Sequence, residues 1–362
     1  MNTTIAIIFG GKSAEYEVSL KSATNIFNAI DRTKFIPLLI GIDKSGEWFY
    51  NPQYDEFDIN LTKNDYFAHA TSVYLSHSKE KIEIISKETN STLASIDAAF
   101  PIIHGTYGED GTLQGVLKSM NVPFVGPDIL GSAIAMDKDV TKRLLKAADI
   151  PVAASFTLYK QNPIEYSFEE ISSTLGLPLF VKPANAGSSV GVSKVTDKDE
   201  YKTALSTAFL FDNKILIEEA VIGKEIECGV LGNEDIRASV VGEIVATKDF
   251  YSYDAKYISS TGATLQIPAR IDSHIAESIR SCAVKAFNVI CCEGMARVDF
   301  FLTNDNRFVL NEINTLPGFT EISMYPKLWE HSGVSYTDLI TKLISLALQK
   351  NERDRKLSIN IK

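Results

Sequence analysis

MARVDFFLT (residues 295–303), NDN (304–306) and RFVLNEINTLPG (307–318) read as a β-hairpin followed by a glycine-bearing loop. Side chains on a strand alternate faces with period two. Arg297 and Asp299 therefore point one way, and Glu312 and Asn314 share a face on the returning strand. With the two strands in register, one sheet face gathers a carboxylate from each, an amide oxygen and a guanidinium. Hard oxygen ligands on adjacent strands suit Mg²⁺, which shares a few carboxylates with substrate phosphates. The plainer alternative is a solvated face with an ordinary cross-strand ion pair. Val298, Phe300, Leu302, Val309 and Ile313 are apolar, which buries the opposite face and disfavours a fully solvated edge.

Outward from the hairpin, the pattern is alternately strand and helix. Residues 5–9 form a continuous apolar run typical of a buried parallel strand. Gly10-Gly11 then turns into a helix whose apolar face carries Val18, Ile26, Phe27 and Ile30. Strands are expected at 35–42, 97–103 and 122–125, with a helix after Asp110. This predicts an open, Rossmann-like α/β domain over 1–128, in which the polar stretch 44–92, with short strand candidates at 73–75 and 82–85, is a peripheral insertion. Helical signals fill 129–149. Strands at 156–159, 179–182 and 214–218 with helices at 164–175 and 197–210 then make a compact unit, giving a central domain over 129–220. Strands at 226–232 and 236–247, a polar aromatic segment at 250–263, a helix at 273–291 and the hairpin form the domain 221–362. The fold class is α/β (α+β).

Bulk properties narrow the function. A chain of 362 residues suits two or three packed units. Its formal charge of −10 argues against a nucleic-acid or anionic-membrane partner. Cys228, Cys282, Cys291 and Cys292 have no C-x-x-C spacing, so a zinc or redox site is not expected. The N-terminal apolar run is five residues long without a basic flank, and no stretch approaches the roughly 18 apolar residues of a membrane helix. A cytoplasmic location is expected.

Several loops carry candidate chemistry. Gly187-Ser188-Ser189-Val190-Gly191 lies between strands and could cover phosphates with its backbone N–H groups, or be a plain hairpin loop; it is not a Walker A sequence. Lys182 at a strand end and Lys138 after Met136-Asp137 could reach phosphate oxygens, or be surface charges. Glu15, in the first turn of its helix, is either a dipole partner or the anchor for a substrate ammonium. His104 begins a glycine-rich loop at the end of a strand, where open α/β sheets bind ligands. The Gly318 N–H with Arg297 could form an oxyanion site.

Together these strings resemble the D-alanine–D-alanine ligase family of the ATP-grasp class. The likeness rests on Gly10-Gly11-x-Ser13-Ala14-Glu15-x-Glu17-Val18-Ser19, His104-Gly105-x-x-Gly108-Glu109-Asp110-Gly111, Met136-Asp137-Lys138, and Val181-Lys182-Pro183 with the 187–191 loop. It continues through Lys256-Tyr257, Arg297-Val298-Asp299 and Asn311-Glu312-Ile313-Asn314-Thr315-x-Pro317-Gly318. Ala220 departs from the larger residue relatives often carry against the adenine.

The resemblance implies an N-terminal domain followed by a two-domain ATP-grasp fold, and ligation of two D-alanines through a D-alanyl phosphate for peptidoglycan precursors. It implies that Lys138, Lys182 and Lys256 bind ATP phosphates and that Ser189 covers them. Glu218 would accept from the adenine amino group and Glu225 would bind the ribose, with Glu219 and Val221 alongside. Asp299, Glu312 and Asn314 would hold two Mg²⁺ ions, replaceable by Mn²⁺. Glu15 would pair with the first substrate's ammonium, linked to Ser188 and Tyr257. Arg297 and Gly318 would stabilise the oxyanion, Ser323 would bind the second substrate's carboxylate, and His104 belongs to the same catalytic group. The segment 250–263 would be a lid, Tyr257 would favour an amine acceptor, and a homodimer is implied.

Three other readings are weaker. Another ATP-grasp ligase would share the phosphate residues but not Glu15, Tyr257 and Ser323. A degenerate nucleotide sensor would have lost some of Arg297, Asp299, Glu312 and Asn314, which are all present. A dinucleotide oxidoreductase would need a fuller glycine fingerprint than Gly10-Gly11.

Overall fold

The computed structural model describes residues 2–54, 60–62, 66–78, 81–161, 166–246 and 263–357. Within them the strands form three sheets. The first comprises β1 (Thr3–Gly10), β2 (Phe35–Ile42), β3 (Trp48–Tyr50), β4 (Thr71–Ser78), β5 (Lys81–Ser86), β6 (Thr92–Ile96) and β7 (Ala98–Pro101) in the order β6-β5-β4-β3-β2-β1-β7. β1 is parallel to β2 and β7, and the remaining pairs are antiparallel. The parallel strands are buried over Ile5–Gly10, 37–42 and Ala98–Pro101, as continuous apolar runs require, and α1 (Tyr16–Ala29) packs on β1.

Two expectations for this region change. The stretch 44–92 is more than a peripheral insertion: it extends the sheet beyond β2 with β3, β4 and β5, where the strand candidates 73–75 and 82–85 fall, and its Leu61 and Tyr66 enter the main core. Its polar composition reflects antiparallel strands with one wet face. The expected strand at 122–125 is reduced to a single bridge from Phe124 to Ala99, because Pro123 has no N–H to continue a ladder.

The second sheet holds β8 (Ser155–Tyr159), β9 (Leu179–Pro183), β10 (Ser193–Val195) and β11 (Lys214–Glu219) in the order β10-β9-β11-β8. The third holds β12 (Gly223–Gly232), β13 (Arg237–Ala246), β14 (Ala263–Gln266), β15 (Gly294–Thr303) and β16 (Phe308–Asn314) in the order β14-β13-β12-β15-β16. The expected hairpin is β15–β16. The helical signals over 129–149 resolve into two helices, Ile129–Met136 and Lys138–Ala147. Asp137 ends the first and caps the second by accepting the Asp139 and Val140 N–H groups.

Core membership also corrects the expected central unit. Ala135, Leu145 and Ile150 pack with the third sheet and the helix Ser273–Val289, so the segment 129–150 belongs to that core. The second sheet has a separate core, built wholly from residues between Ala154 and Ile217. The first and third sheets instead share a core, in which Ile5, Phe9 and Phe27 meet Leu316, Phe319 and the helix Tyr336–Arg355.

Candidate active site

The β15–β16 register places Arg297 opposite Asn314 and Asp299 opposite Glu312, the pairing that the alternation implied. Arg297 donates to both Asp299 oxygens, at 2.8 and 2.7 Å, and Asn314 donates to Asp299 at 2.9 Å. The guanidinium also pairs with Glu227 at 2.9 Å. Glu227 sits beside Asp299 on the neighbouring strand β12 and is buried. It was not singled out in the sequence, although its spacing from Glu225 puts it on the same strand face.

Lysines gather across from this face. Lys138 Nζ lies 3.9 Å from Glu312 and donates to the Ala186 carbonyl at 2.7 Å. Lys182 pairs with Glu218 at 2.5 Å, and Lys142 pairs with the other Glu218 oxygen at 2.9 Å. Burial works to raise the Glu218 pKa, but Lys182 and Lys142 overcome it and hold the carboxylate below its ordinary value. Burial pushes Lys138 down, opposed by Glu312. Lys182, Glu218 and Glu109 also act electrostatically on Lys138, so these groups share one cleft. Lys142 was missed: buried beneath Glu218, it has no glycine-rich neighbour in sequence to mark it.

A second cluster closes the cleft from the first sheet. Ser188 donates to Glu15 across 173 positions of sequence, which brings the 187–191 loop onto the start of α1. Glu15 is buried, and its carboxylate lies against the α-carbons of Gly105 and Gly187. A Cβ at Gly105 would approach Glu15 Oε2 to 2.9 Å, and one at Gly187 to 3.0 Å. Gly105 also has a φ of +75°, so both space and backbone call for glycine there.

Other expected residues take varied places. Ser323 stands at the N-cap of the helix Met324–His331, and its hydroxyl is within 2.8 Å of Thr320 Oγ1. Gly318 packs against that hydroxyl, where a Cβ would come within 2.7 Å. The Gly318 N–H has no hydrogen-bond partner among the described residues. Glu219 accepts the Ala154 N–H at 2.7 Å, a structural use of its carboxylate. Val221 lies between β11 and β12, Glu225 is on β12, and Ser189 follows Ser188 at a left-handed φ of 59°.

His104, expected among catalytic side chains, is buried with both ring nitrogens engaged, by Leu316 and Ser22. Both nitrogens are thus taken up by contacts within the protein. Lys256, Tyr257 and the lid at 250–263 fall outside the described residues, apart from Ala263 at the start of β14.

The donor set fits a particular kind of metal site. Among the described residues no three acidic, histidine or cysteine side chains cluster as a metal cage. Two carboxylates and an amide fit an ion that completes its shell with phosphate oxygens and water.

Residues 4–127 match the family model described as D-ala D-ala ligase N-terminus, and residues 144–345 the one described as D-ala D-ala ligase C-terminus. A D-alanine–D-alanine ligase of Oceanobacillus iheyensis is 52% identical over 99% of this chain and 98% of its own. The solved structure of the D-alanine–D-alanine ligase from Coxiella burnetii aligns with a TM-score of 0.86 at 35% identity, covering 98% of both chains. The VanG D-Ala:D-Ser ligase from Enterococcus faecalis aligns with a TM-score of 0.85 at 38% identity, covering 96% of this chain and 100% of that one. The chain belongs to the D-alanine–D-alanine ligase family.

Proposed function

We propose that the chain joins two D-alanine molecules into D-alanyl-D-alanine through a D-alanyl phosphate, converting ATP to ADP and phosphate, as a step of peptidoglycan precursor synthesis. The observation that carries the reading is the face formed by Arg297, Asp299, Glu312 and Asn314 on paired strands, with Lys138 reaching over to Glu312.

A carboxylate is a poor electrophile, so its oxygen must first become a leaving group. ATP lies between the second and third sheets in this reading. Lys138 and Lys182 hold its phosphates, Glu218 and Glu225 its adenine and ribose, and Ser189 covers the chain of phosphates. Lys142 belongs to this group through Glu218. Asp299, Glu312 and Asn314 would hold Mg²⁺, two ions by family resemblance, with Mn²⁺ able to replace it. Bound there, the metal neutralises charge on the transferring phosphoryl group.

Glu15, steadied by Ser188, takes the ammonium of the first D-alanine, and Ser323 takes the carboxylate of the second at a helix N-terminus. Attack of the second amine makes a tetrahedral oxyanion. Arg297 and the Gly318 N–H stabilise it. Lys256 and Tyr257 join from the 250–263 segment, which excludes water from the acyl phosphate.

The same reading takes the enzyme as a cytoplasmic homodimer. All four cysteines are free, which suits a reducing compartment. Val116, Ile129 and Leu130 are exposed on adjoining helices, an apolar patch of the kind subunits cover. Among the described residues no helix is long and apolar enough to cross a membrane.

Mg²⁺-dependent phosphate release from ATP tests the reading, measured with D-alanine, L-alanine, D-alanine plus D-serine, or no amino acid. The expected result is release with D-alanine only and a D-alanyl-D-alanine mass. A mixed product with D-serine in preference would move the acceptor assignment. Turnover with neither alanine would overturn the substrate.

A further inference from the structure

Leu316, Pro317, Gly318 and Phe319 leave β16 and pass beneath the first sheet. All four backbone polar groups of Leu316 and Phe319 are held by side chains. Glu109 accepts the Leu316 N–H at 3.1 Å and, with its other oxygen, the Gly105 N–H at 2.8 Å. His104 Nδ1 lies 2.9 Å from the Leu316 carbonyl. Ser22 Oγ accepts the Phe319 N–H at 3.1 Å and lies 3.2 Å from His104 Nε2. The Phe319 carbonyl accepts from Asn25 Nδ2 at 3.1 Å and from Tyr336 Oη at 2.7 Å.

The proton directions follow from the partners. A carbonyl only accepts, so His104 Nδ1 carries the proton. Burial keeps the ring neutral by pushing its pKa down, so Nε2 is an acceptor. The Ser22 hydroxyl therefore donates to His104 Nε2, and its lone pair receives the Phe319 N–H. Ser22 and His104 are fully or almost fully buried, so no water competes for this chain. The Phe319 ring is fixed as well, edge-on to Phe100 with centroids 5.8 Å apart.

Between these two held residues, Pro317 has no N–H and Gly318 keeps its N–H without a partner among the described residues. We propose that Ser22, Asn25 and Glu109, with His104, form a clamp in the N-terminal sheet layer that positions the Gly318 N–H for the oxyanion. They are positioning residues, acting through the loop backbone and touching no substrate. This rests on the reading of Gly318 as an oxyanion donor. The clamp explains why a histidine at a ligand-binding strand end is turned inward: it orients the donor loop of a different sheet. A displacement of about 1 Å at such a donor is enough to lose up to about 100-fold in rate.

The test is Ser22→Ala and, as a milder second variant, Asn25→Ala in the full chain. Two readouts are taken together: hydrogen exchange of the 315–320 amides, and steady-state kinetics with ATP and D-alanine. The expected result for Ser22→Ala is several-fold faster exchange confined to this loop, kcat lower by about 10- to 100-fold, and an unchanged KM for ATP. Asn25→Ala should show the same pattern more weakly. D-alanine-dependent positional isotope exchange in ATP, which reports acyl phosphate formation, should persist in both. Unchanged loop exchange in a folded Ser22→Ala protein overturns the clamp. Faster loop exchange with parental kcat leaves the clamp assignment standing but removes Gly318 as the oxyanion donor, so the two failures are told apart. An equal loss of isotope exchange and ligation also overturns the proposal, because the defect would then precede the oxyanion.

Discussion

Arg297 binds two buried carboxylates, Glu227 and Asp299, at hydrogen-bond distance. It is thus fixed before any substrate arrives, and a fixed donor costs no reorganisation when charge develops. Arg297→Ala should lower the rate of dipeptide formation by about 100- to 1,000-fold. Near-parental product formation in a folded variant, measured by mass, would remove Arg297 from the oxyanion site. Glu109 makes a different prediction. Burial and the nearby Glu15 carboxylate raise its pKa from 4.5 to about 8, while the Gly105 and Leu316 N–H groups and Arg297 oppose them. Between those values the folded chain binds a proton that the unfolded chain has lost. Stability from this group is therefore full below about pH 4.5 and declines as pH rises to about 8. Glu109→Gln should flatten the fall in unfolding free energy across that window, measured by urea titration at a series of pH values. An unaltered slope would reject the assignment.

The segment between β3 and β4 shows how a buried group can hide in a polar stretch. Tyr66 donates to the Leu39 carbonyl at 2.5 Å and accepts the Asn51 N–H at 3.1 Å. Its ring lies edge-on to Phe9, with centroids 5.1 Å apart. Tyr66→Phe keeps the ring and leaves those backbone groups short of a partner, so it should cost about 1–3 kcal/mol in urea unfolding. A loss below about 0.5 kcal/mol would mean that water replaces the hydroxyl. The sequence predicted this segment as peripheral because its apolar residues are spaced irregularly among polar ones, with no period to read. Where a period exists, the reading held: Arg297, Asp299, Glu312 and Asn314 share the expected face because strand alternation is geometric. Lys142, Glu227 and Ser22 were not legible for one common reason. Each acquires its meaning from a partner on another element: Glu218, Arg297 and His104 respectively. The break at Asp137 was legible in principle, since Asp before the polar start Lys138-Asp139 is a cap signal.

Among the described residues, three sheets meet through two kinds of joint. The first and third share apolar core, whereas the buried apolar cluster of the second sheet is built, among the described residues, from its own strands and helices. Its links to the rest include several polar ones: Ser188 with Glu15, Glu218 with Lys142, and Lys214 with Asp137 and Asp139. Polar joints give up less free energy on opening than apolar ones, because water re-forms their hydrogen bonds. The second sheet is therefore the unit expected to shift when ATP enters. In the proposed reading Lys182, on β9, would tie this sheet to the phosphates, and it repels Lys138 across the cleft. An anion between the two lysines would replace that repulsion by attraction to both and draw the second sheet onto the third. A nonhydrolysable ATP analogue with Mg²⁺ should accordingly slow hydrogen exchange in the 187–191 loop and raise the unfolding temperature, as ligands that bind only the folded state do. Lys182→Met should weaken the analogue by about 10- to 100-fold, the cost of one charged hydrogen bond. At saturating analogue it should also leave the loop exchanging faster than in the parent. Full loop protection in Lys182→Met at saturation would show that closure is driven from elsewhere in the cleft, and Lys138 would be the next residue to change.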